Sequence, residues 1–119
     1  MKKYLFVGER RSDTAIRMNV TWVDKRLAAA HLSKAVENIG IDWNECEFKN
    51  VYEDDINEIR SFDGIVIAMG RKVERELKKV EILHEFIYHP ATRGEVRNIE
   101  KYKNHVKERI GHITNAGYA

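Results

Sequence analysis

Several side chains that could do chemistry follow one another in the segment Tyr88-His89-Pro90-Ala91-Thr92-Arg93-Gly94. The segment comes directly after the apolar run 82–87, which predicts a β-strand. Proline fixes its own backbone and drives the preceding residue toward an extended conformation, so the turn is stiff and the imidazole of His89 has a defined direction. We therefore expect a ligand-binding or catalytic site at His89.

Polar and aromatic side chains elsewhere could recognise a ligand beside His89. A neutral imidazole at His89 can donate a hydrogen bond to an oxygen that gains negative charge as a bond breaks. Asn50 ends another predicted strand, and its amide can pair with the edge of a base. Trp22 and Trp43 can stack on a base or anchor the core. The structural alternatives are that His89 ties its turn together and that Asn50 only forms a turn.

Acidic residues that could activate a water molecule lie in the loop after the first predicted strand. Glu9 and Asp13 are the acids of this loop, and a carboxylate positioned there can act as a general base. Either acid could instead pair with Arg10, Arg11 or Arg17. The acids therefore stand as catalytic candidates beside His89, with ion pairing as the alternative.

Arginines and helix starts near the strand ends could hold phosphate groups. Arginine binds phosphate through charge-assisted, often bidentate hydrogen bonds, although a lone loop arginine is usually only solvated. Helices starting after Gly70 and Thr92 would add backbone N–H donors, and Thr92 with Glu95 forms a capping-box pattern. The candidate phosphate ligands are Arg10, Arg11, Arg71 and Arg93.

Short apolar strands alternate with amphipathic helices along the chain, which predicts a parallel sheet covered by helices. The predicted strands are 4–7, 47–51, 64–69 and 82–87, and the predicted helices are 22–39, 54–59, 71–79 and about 95–110. Residues 14–20 show no clear period. We expect one three-layer α/β/α domain over residues 1–119, with a four-stranded parallel sheet in the order 2-1-3-4. The loops after its strands would meet at one edge.

Composition limits the classes of protein to which the chain can belong. Its 119 residues are 43% hydrophobic and 34% charged, as in ordinary globular domains. No apolar run is long enough to span a bilayer and no signal-peptide pattern is present, so we expect a cytoplasmic protein with no membrane partner. The single Cys46 and the spacing of the histidines predict no metal site and no cofactor. A net charge of +2 gives weak support for a polyanionic partner.

The order of several short motifs resembles that of a known family. The motifs are Val7-Gly8-Glu9, Trp22 to Leu27, Gly40-Ile41-Asp42, Lys49-Asn50-Val51, Ile65-Val66-Ile67-Ala68-Met69-Gly70 and the His89-Pro90 turn. In this order they are similar to the uracil-DNA glycosylase superfamily, most closely its iron–sulfur-containing bacterial and archaeal branch. The resemblance implies a DNA-repair hydrolase that cleaves the N-glycosidic bond of a damaged or modified base. It implies that Gly8 and Glu9 position the water, Asn50 reads the base and His89 stabilises the departing base.

The chain departs from that family in three respects. Arg10 and Arg11 stand where the family usually has proline and glycine, the cluster-binding cysteines are absent, and the chain is shorter than typical members. Three alternatives therefore remain beside a DNA glycosylase. They are a non-catalytic relative that binds a nucleotide or nucleic acid, an enzyme of free nucleosides or nucleotides, and a protein with a purely structural or interaction role. Arg10 and Arg11 pointing into the pocket beside His89 would favour a small phosphate-bearing ligand.

Overall fold

The computed structural model describes residues 2–91 and 98–113, which form four strands and five α-helices. The strands are β1 (Tyr4–Gly8), β2 (Cys46–Asn50), β3 (Ile65–Met69) and β4 (Glu85–Ile87). The helices are α1 (Asp13–Met18), α2 (Ala28–Asn38), α3 (Ile56–Arg60), α4 (Arg71–Lys79) and α5 (Ile99–Ile110). Short 3₁₀ turns occur at Trp22–Asp24, Trp43–Glu45 and Gly111–Ile113.

The four strands form one all-parallel sheet in the order β2-β1-β3-β4, which confirms the predicted strand order and α/β class. β2 lies at one edge, in agreement with its weaker apolar character. In the register of β1 and β2, Gly8 is the partner of Asn50. The carboxyl ends of these two strands therefore stand side by side, where parallel sheets bind their ligands.

Alternation of side chains along β1 divides the core into two layers. Tyr4 and Phe6 face the cluster built with α2 and α5, whereas Leu5 and Val7 face the cluster that includes side chains of α3 and α4. Successive strand residues point to opposite faces, so a strand buried on both faces reads as a continuous apolar run. This is the three-layer α/β/α arrangement that the sequence predicts.

The predicted helix over residues 22–39 is wrong at its start. Thr21 and Asp24 form a capping box around a single 3₁₀ turn, and Lys25 then adopts a left-handed conformation with φ 55°. Leu27 also has a positive φ, and α2 begins only at Ala28. The sequence also missed α1, because none of the residues of α1 is buried and an apolar period is therefore absent.

The predicted strand 82–87 is also too long, because Ile82 belongs to the turn that caps the end of α4. Glu81 has a φ of 58°, and the amide of Ile82 donates a hydrogen bond to the carbonyl of Leu77. This is the pattern of a left-handed helix cap followed by an apolar contact. Leu83 is then 93% exposed, and the strand starts at Glu85.

α5 starts at Ile99 rather than near residue 95. The side chain of Asn98 accepts hydrogen bonds from the amides of Glu100 and Lys101, which makes Asn98 the N-cap. The predicted capping box of Thr92 and Glu95 lies outside the described residues.

Side chains of α5 cover the open edge of β4. The hydroxyl of Tyr102 donates to the carbonyl of Tyr88 at 2.7 Å, and Nε of Arg109 donates to the carbonyl of Phe86 at 3.2 Å. Between them, Nε2 of His105 accepts from the amide of Tyr88 at 2.8 Å. The edge of the sheet that leads to His89 is thus held by one helix face.

No helix in the described part of the chain is long and apolar enough to cross a bilayer.

Candidate functional site

Among the clefts at the carboxyl edge of the sheet, two contain His89 or Asn50, and a third contains neither and is lined by Glu9, Arg10, Tyr52, Lys72, Arg75 and Glu76. The first, here called the His89 cleft, has a volume of about 500 Å³, and its lining includes Arg10, Arg11, Trp22, Arg26, Leu27 and His89. The second, here called the Asn50 cleft, is also about 500 Å³, and its lining includes Arg11, Trp22, Phe48, Asn50 and Glu53. Both volumes are in the range of sites for small ligands. Trp22 lines both clefts, whereas His89 and Asn50 each line only one.

His89 is held in one orientation and one tautomer. Its Nδ1 accepts a hydrogen bond from the amide of Ala91 at 3.0 Å, so in the neutral ring the proton resides on Nε2. Burial lowers the pKa of His89, against the opposing effect of the Glu9 charge. Among the described residues, no hydrogen-bond partner is found for Nε2. Within residues 2–91 and 98–113, the site therefore contains a neutral imidazole whose Nε2–H has no protein acceptor.

Asn50 is buried at the end of β2, and both ends of its amide are bonded to the protein. Oδ1 accepts from Nε1 of Trp22 at 3.2 Å, and Nδ2 donates to Oε1 of Glu53 at 2.9 Å. The neighbouring Gly8 leaves room for this arrangement, because a Cβ there would lie 2.8 Å from Oδ1 of Asn50. The sequence identified Gly8 and Asn50 as ligand residues, and the structure brings them into contact.

Glu53 joins the loop after β1 to the loop after β2, a link that sequence reasoning missed. Its carboxylate accepts from the amide of Arg11 at 2.7 Å and from Nε of Arg11 at 3.4 Å. Although burial raises the pKa of Glu53, the hydrogen bonds and charge of Arg11 and the amide of Asn50 lower it overall. The only sequence signal was the spacing of Asn50 and Glu53, three residues apart in a turn.

The two candidate general bases have different positions. Glu9 lines the His89 cleft and lies 3.8 Å from Nζ of Lys72. Asp13 is the exposed first residue of α1 and is not among the residues that line either cleft. The structure thus brings Glu9, but not Asp13, to the cleft that holds His89.

The candidate phosphate ligands also separate. Arg10 and Arg11 line the His89 cleft together with Arg26, which the sequence did not single out. The guanidinium of Arg71 lies 4.3 Å from the centre of the Phe86 ring and pairs with Glu74 at 3.3 Å. Arg71 is therefore engaged at the β4 edge rather than at the clefts.

One of the backbone N–H donors expected at the helix starts is already bonded within the protein. Gly70 is the N-cap of α4, and a Cβ there would lie 3.6 Å from Cβ of His89. The amide of Gly70, however, already donates to the carbonyl of Ile87 at 2.9 Å. The other expected ligands, Thr92 and Arg93, lie outside the described residues.

The fold and its clefts define a three-layer α/β protein with a ligand-sized site at the carboxyl edge of a parallel sheet. Within residues 2–91 and 98–113, no three His, Cys, Asp or Glu side chains come close enough to hold a metal ion. Comparison of the chain with models of protein families, with curated proteins and with solved structures finds no match.

Proposed function

We propose that the chain binds a nucleotide unit at the carboxyl edge of the sheet and hydrolyses its N-glycosidic bond, as a glycosylase of the uracil-DNA glycosylase type. The observation that carries the proposal is the state of His89. Its Nδ1 is occupied by the amide of Ala91, its pKa is lowered by burial, and it lines a cleft of ligand size. These features suit a neutral donor to an oxygen that becomes negative in the transition state.

In the proposed reaction, His89 and Glu9 have separate roles. A water oxygen attacks the anomeric carbon of the sugar, and the bond from that carbon to the base nitrogen breaks with its electron pair on the base. Nε2–H of His89 donates a hydrogen bond to the base oxygen that gains the charge. The carboxylate of Glu9, in the same cleft, accepts the proton of the water.

Phosphate groups of the nucleotide unit would be held by Arg10 and Arg26. Both line the His89 cleft, and neither side chain forms an ion pair with another described residue. Arg11 pairs with Glu53 through its Nε–H, so it adds positive charge to the cleft but cannot offer that N–H to a phosphate. Arginine pairs with phosphate through charge-assisted hydrogen bonds, so this cleft favours a phosphate-bearing ligand over a free base.

A second candidate function is nucleotide binding without catalysis, either to a free nucleotide or within DNA. The observation that favours it is the engagement of Asn50, whose amide is bonded to both Trp22 and Glu53. A base can take both of these bonds only when both Trp22 and Glu53 move. In the non-catalytic case the phosphates would still bind Arg10 and Arg26, and binding would weaken as salt concentration rises.

The test is release of base from uracil-containing oligonucleotides, single- and double-stranded, read as alkali-labile breaks, with free dUMP assayed in parallel. Removing a preorganised donor typically lowers the rate by about 10²–10³-fold, so His89→Ala should abolish most release. His112→Ala is the matched control, because His112 is exposed and pairs with Glu85 away from the clefts. Release that depends on His89 but not on His112 supports the proposal.

Absence of release from every substrate, with protein in large excess, would overturn hydrolysis of a uracil N-glycosidic bond. Binding of dUMP or oligonucleotide by such an inactive protein, weakened by Arg10→Ala and Arg26→Ala, would then establish the second candidate. Equal binding by these variants and the parent protein would show that the His89 cleft is not the phosphate site.

A further inference from the structure

The indole of Trp22 makes the contacts that a protein uses to hold a base. Its Nε1–H donates to Oδ1 of Asn50 at 3.2 Å. Its ring stacks against Phe48 with centroids 6.2 Å apart and an angle of 16° between the planes. Its ring and that of His89 lie edge to face, with centroids 5.7 Å apart and an angle of 64° between the planes. Enzymes read an extruded base through an amide hydrogen bond and aromatic stacking of this kind.

Trp22 also separates the two residues that the family resemblance assigns to the base. Asn50 lines one cleft, His89 lines the other, and Trp22 forms part of the wall of both. A Cβ on Gly8 would lie 3.2 Å from the Trp22 ring, so the indole packs closely over the end of β1. Moving the indole away would join the clefts and expose Asn50 and His89 to one ligand.

Between Val20 and Ala29, both of which are buried, the segment that carries Trp22 is largely exposed. α1, just before it, has no buried residue, and Val23 is 59% exposed. Lys25 and Leu27, just after it, have positive φ values of 55° and 57°. For residues with a Cβ these conformations are strained, and such strain is typical of segments that change conformation. Movement of the 3₁₀ turn at Trp22–Asp24 would break the hydrogen bond from Nε1 of Trp43 to the carbonyl of Val23 at 3.4 Å, but no bond between the strands.

We infer that Trp22 is an intramolecular stand-in for a base, seated in a base site built by Gly8, Phe48, Asn50 and His89, and that the ligand displaces it. The inference rests on the proposed function, because it names the part of the nucleotide unit that occupies the site. Since Oδ1 of Asn50 accepts from the indole N–H, the entering base must present an N–H at the same place. In a nucleotide, where N1 is bonded to the sugar, uracil meets this requirement at its N3–H, and 3-methyluracil does not.

The first experiment is calorimetric titration of Trp22→Ala with uracil, 1,3-dimethyluracil and indole. We expect uracil and indole to compete for one site and to bind at least about tenfold more tightly than to the parent protein. 1,3-Dimethyluracil, which has no N–H, should show no such gain. Trp22→Phe is the matched control, because it keeps a ring in the site and should remain closed to uracil.

A second measurement covers the case in which Trp22→Ala does not fold. In a Trp43→Phe background Trp22 is the only tryptophan, and its emission reports its own exposure. Saturation with a single-stranded, uracil-containing oligonucleotide should shift that emission to longer wavelength. The same oligonucleotide with 3-methyluracil in place of uracil should leave it unchanged.

A folded Trp22→Ala protein that binds neither uracil nor indole would overturn the inference, and so would Trp22 emission that stays constant when the uracil oligonucleotide is bound. These failures are distinct from failure of the proposed function, which is judged by base release from the parent protein. Base release without displacement of Trp22 would show that the indole is a fixed part of the lining of both clefts. Uracil binding by Trp22→Ala without release by the parent protein would leave a base site that lacks hydrolysis.

Discussion

The amide of Tyr88 donates a hydrogen bond to Nε2 of His105 at 2.8 Å, and the two rings stack with centroids 4.4 Å apart. Because Nε2 is the acceptor, this bond requires the unprotonated form of that nitrogen. Tyr88 immediately precedes His89, so the contact fixes the backbone that presents the candidate catalytic imidazole. A histidine on α5 thereby supports a histidine at the cleft.

Acidification is expected to destabilise the fold through His105. Burial and the charge of Arg109 lower the pKa of His105, against an opposing effect of Glu108. Because the folded-state pKa is below the unfolded value of about 6.5, the unfolded chain binds more protons and the free energy of unfolding falls as pH drops through that value. His89, whose pKa is also lowered, acts in the same direction.

The check is urea denaturation of the parent protein and of His105→Gln at about pH 7.5 and about pH 5. The parent should lose more stability on acidification than the variant, by on the order of 1 kcal/mol, the net contribution of one hydrogen bond. The other histidines are common to both proteins, so the difference between the two reports on His105. Equal losses would contradict the role assigned to this residue.

Gly8→Ala is expected to disturb the contact between Trp22 and Asn50. The new Cβ would lie 2.8 Å from Oδ1 of Asn50 and 3.2 Å from the Trp22 ring. Overpacking of this kind costs about 1–3 kcal/mol, measurable by urea denaturation, and tryptophan emission should change as the indole moves. Gly111→Ala is the control, because its Cβ would meet Cγ of Lys107 at an ordinary 3.5 Å and should change stability by less than about 0.5 kcal/mol. An unchanged stability in Gly8→Ala would show that the edge tolerates expansion.

Leu27→Gly is expected to relieve strain in the segment that carries Trp22. Leu27 has φ 57° and ψ −132°, a conformation that glycine adopts without the steric cost of a Cβ. The free energy of unfolding should stay the same or rise by up to about 1 kcal/mol, since relief of strain offsets the entropy of glycine in the unfolded chain. Leu83→Gly, at a more exposed leucine without positive φ, should lose about 0.5–1 kcal/mol. Equal losses in the free energy of unfolding for Leu27→Gly and Leu83→Gly, measured by thermal unfolding, would show that Leu27 is not strained.

The strand order could be predicted because it depends on short buried runs and on the right-handed connections between them. The position of Trp22 could not. Its bond to Asn50 joins residues 28 positions apart, and the local pattern around Trp22 favoured a continuous helix. Arg26 and Glu53 were missed for the same reason, since their roles depend on which loops come together at the carboxyl edge of the sheet. In each case a long-range contact decides the role of a residue whose local sequence is ordinary.

Coverage of β4 by α5 has a consequence for assembly. An edge strand normally offers free amides and carbonyls on which another chain can build a strand. Here Tyr102, His105 and Arg109 already occupy the outward carbonyl of Phe86 and both polar backbone groups of Tyr88. A neighbouring chain can therefore pair with these three groups only if α5 detaches first. Resistance to fibrous association and support of the cleft are then two results of one helix face.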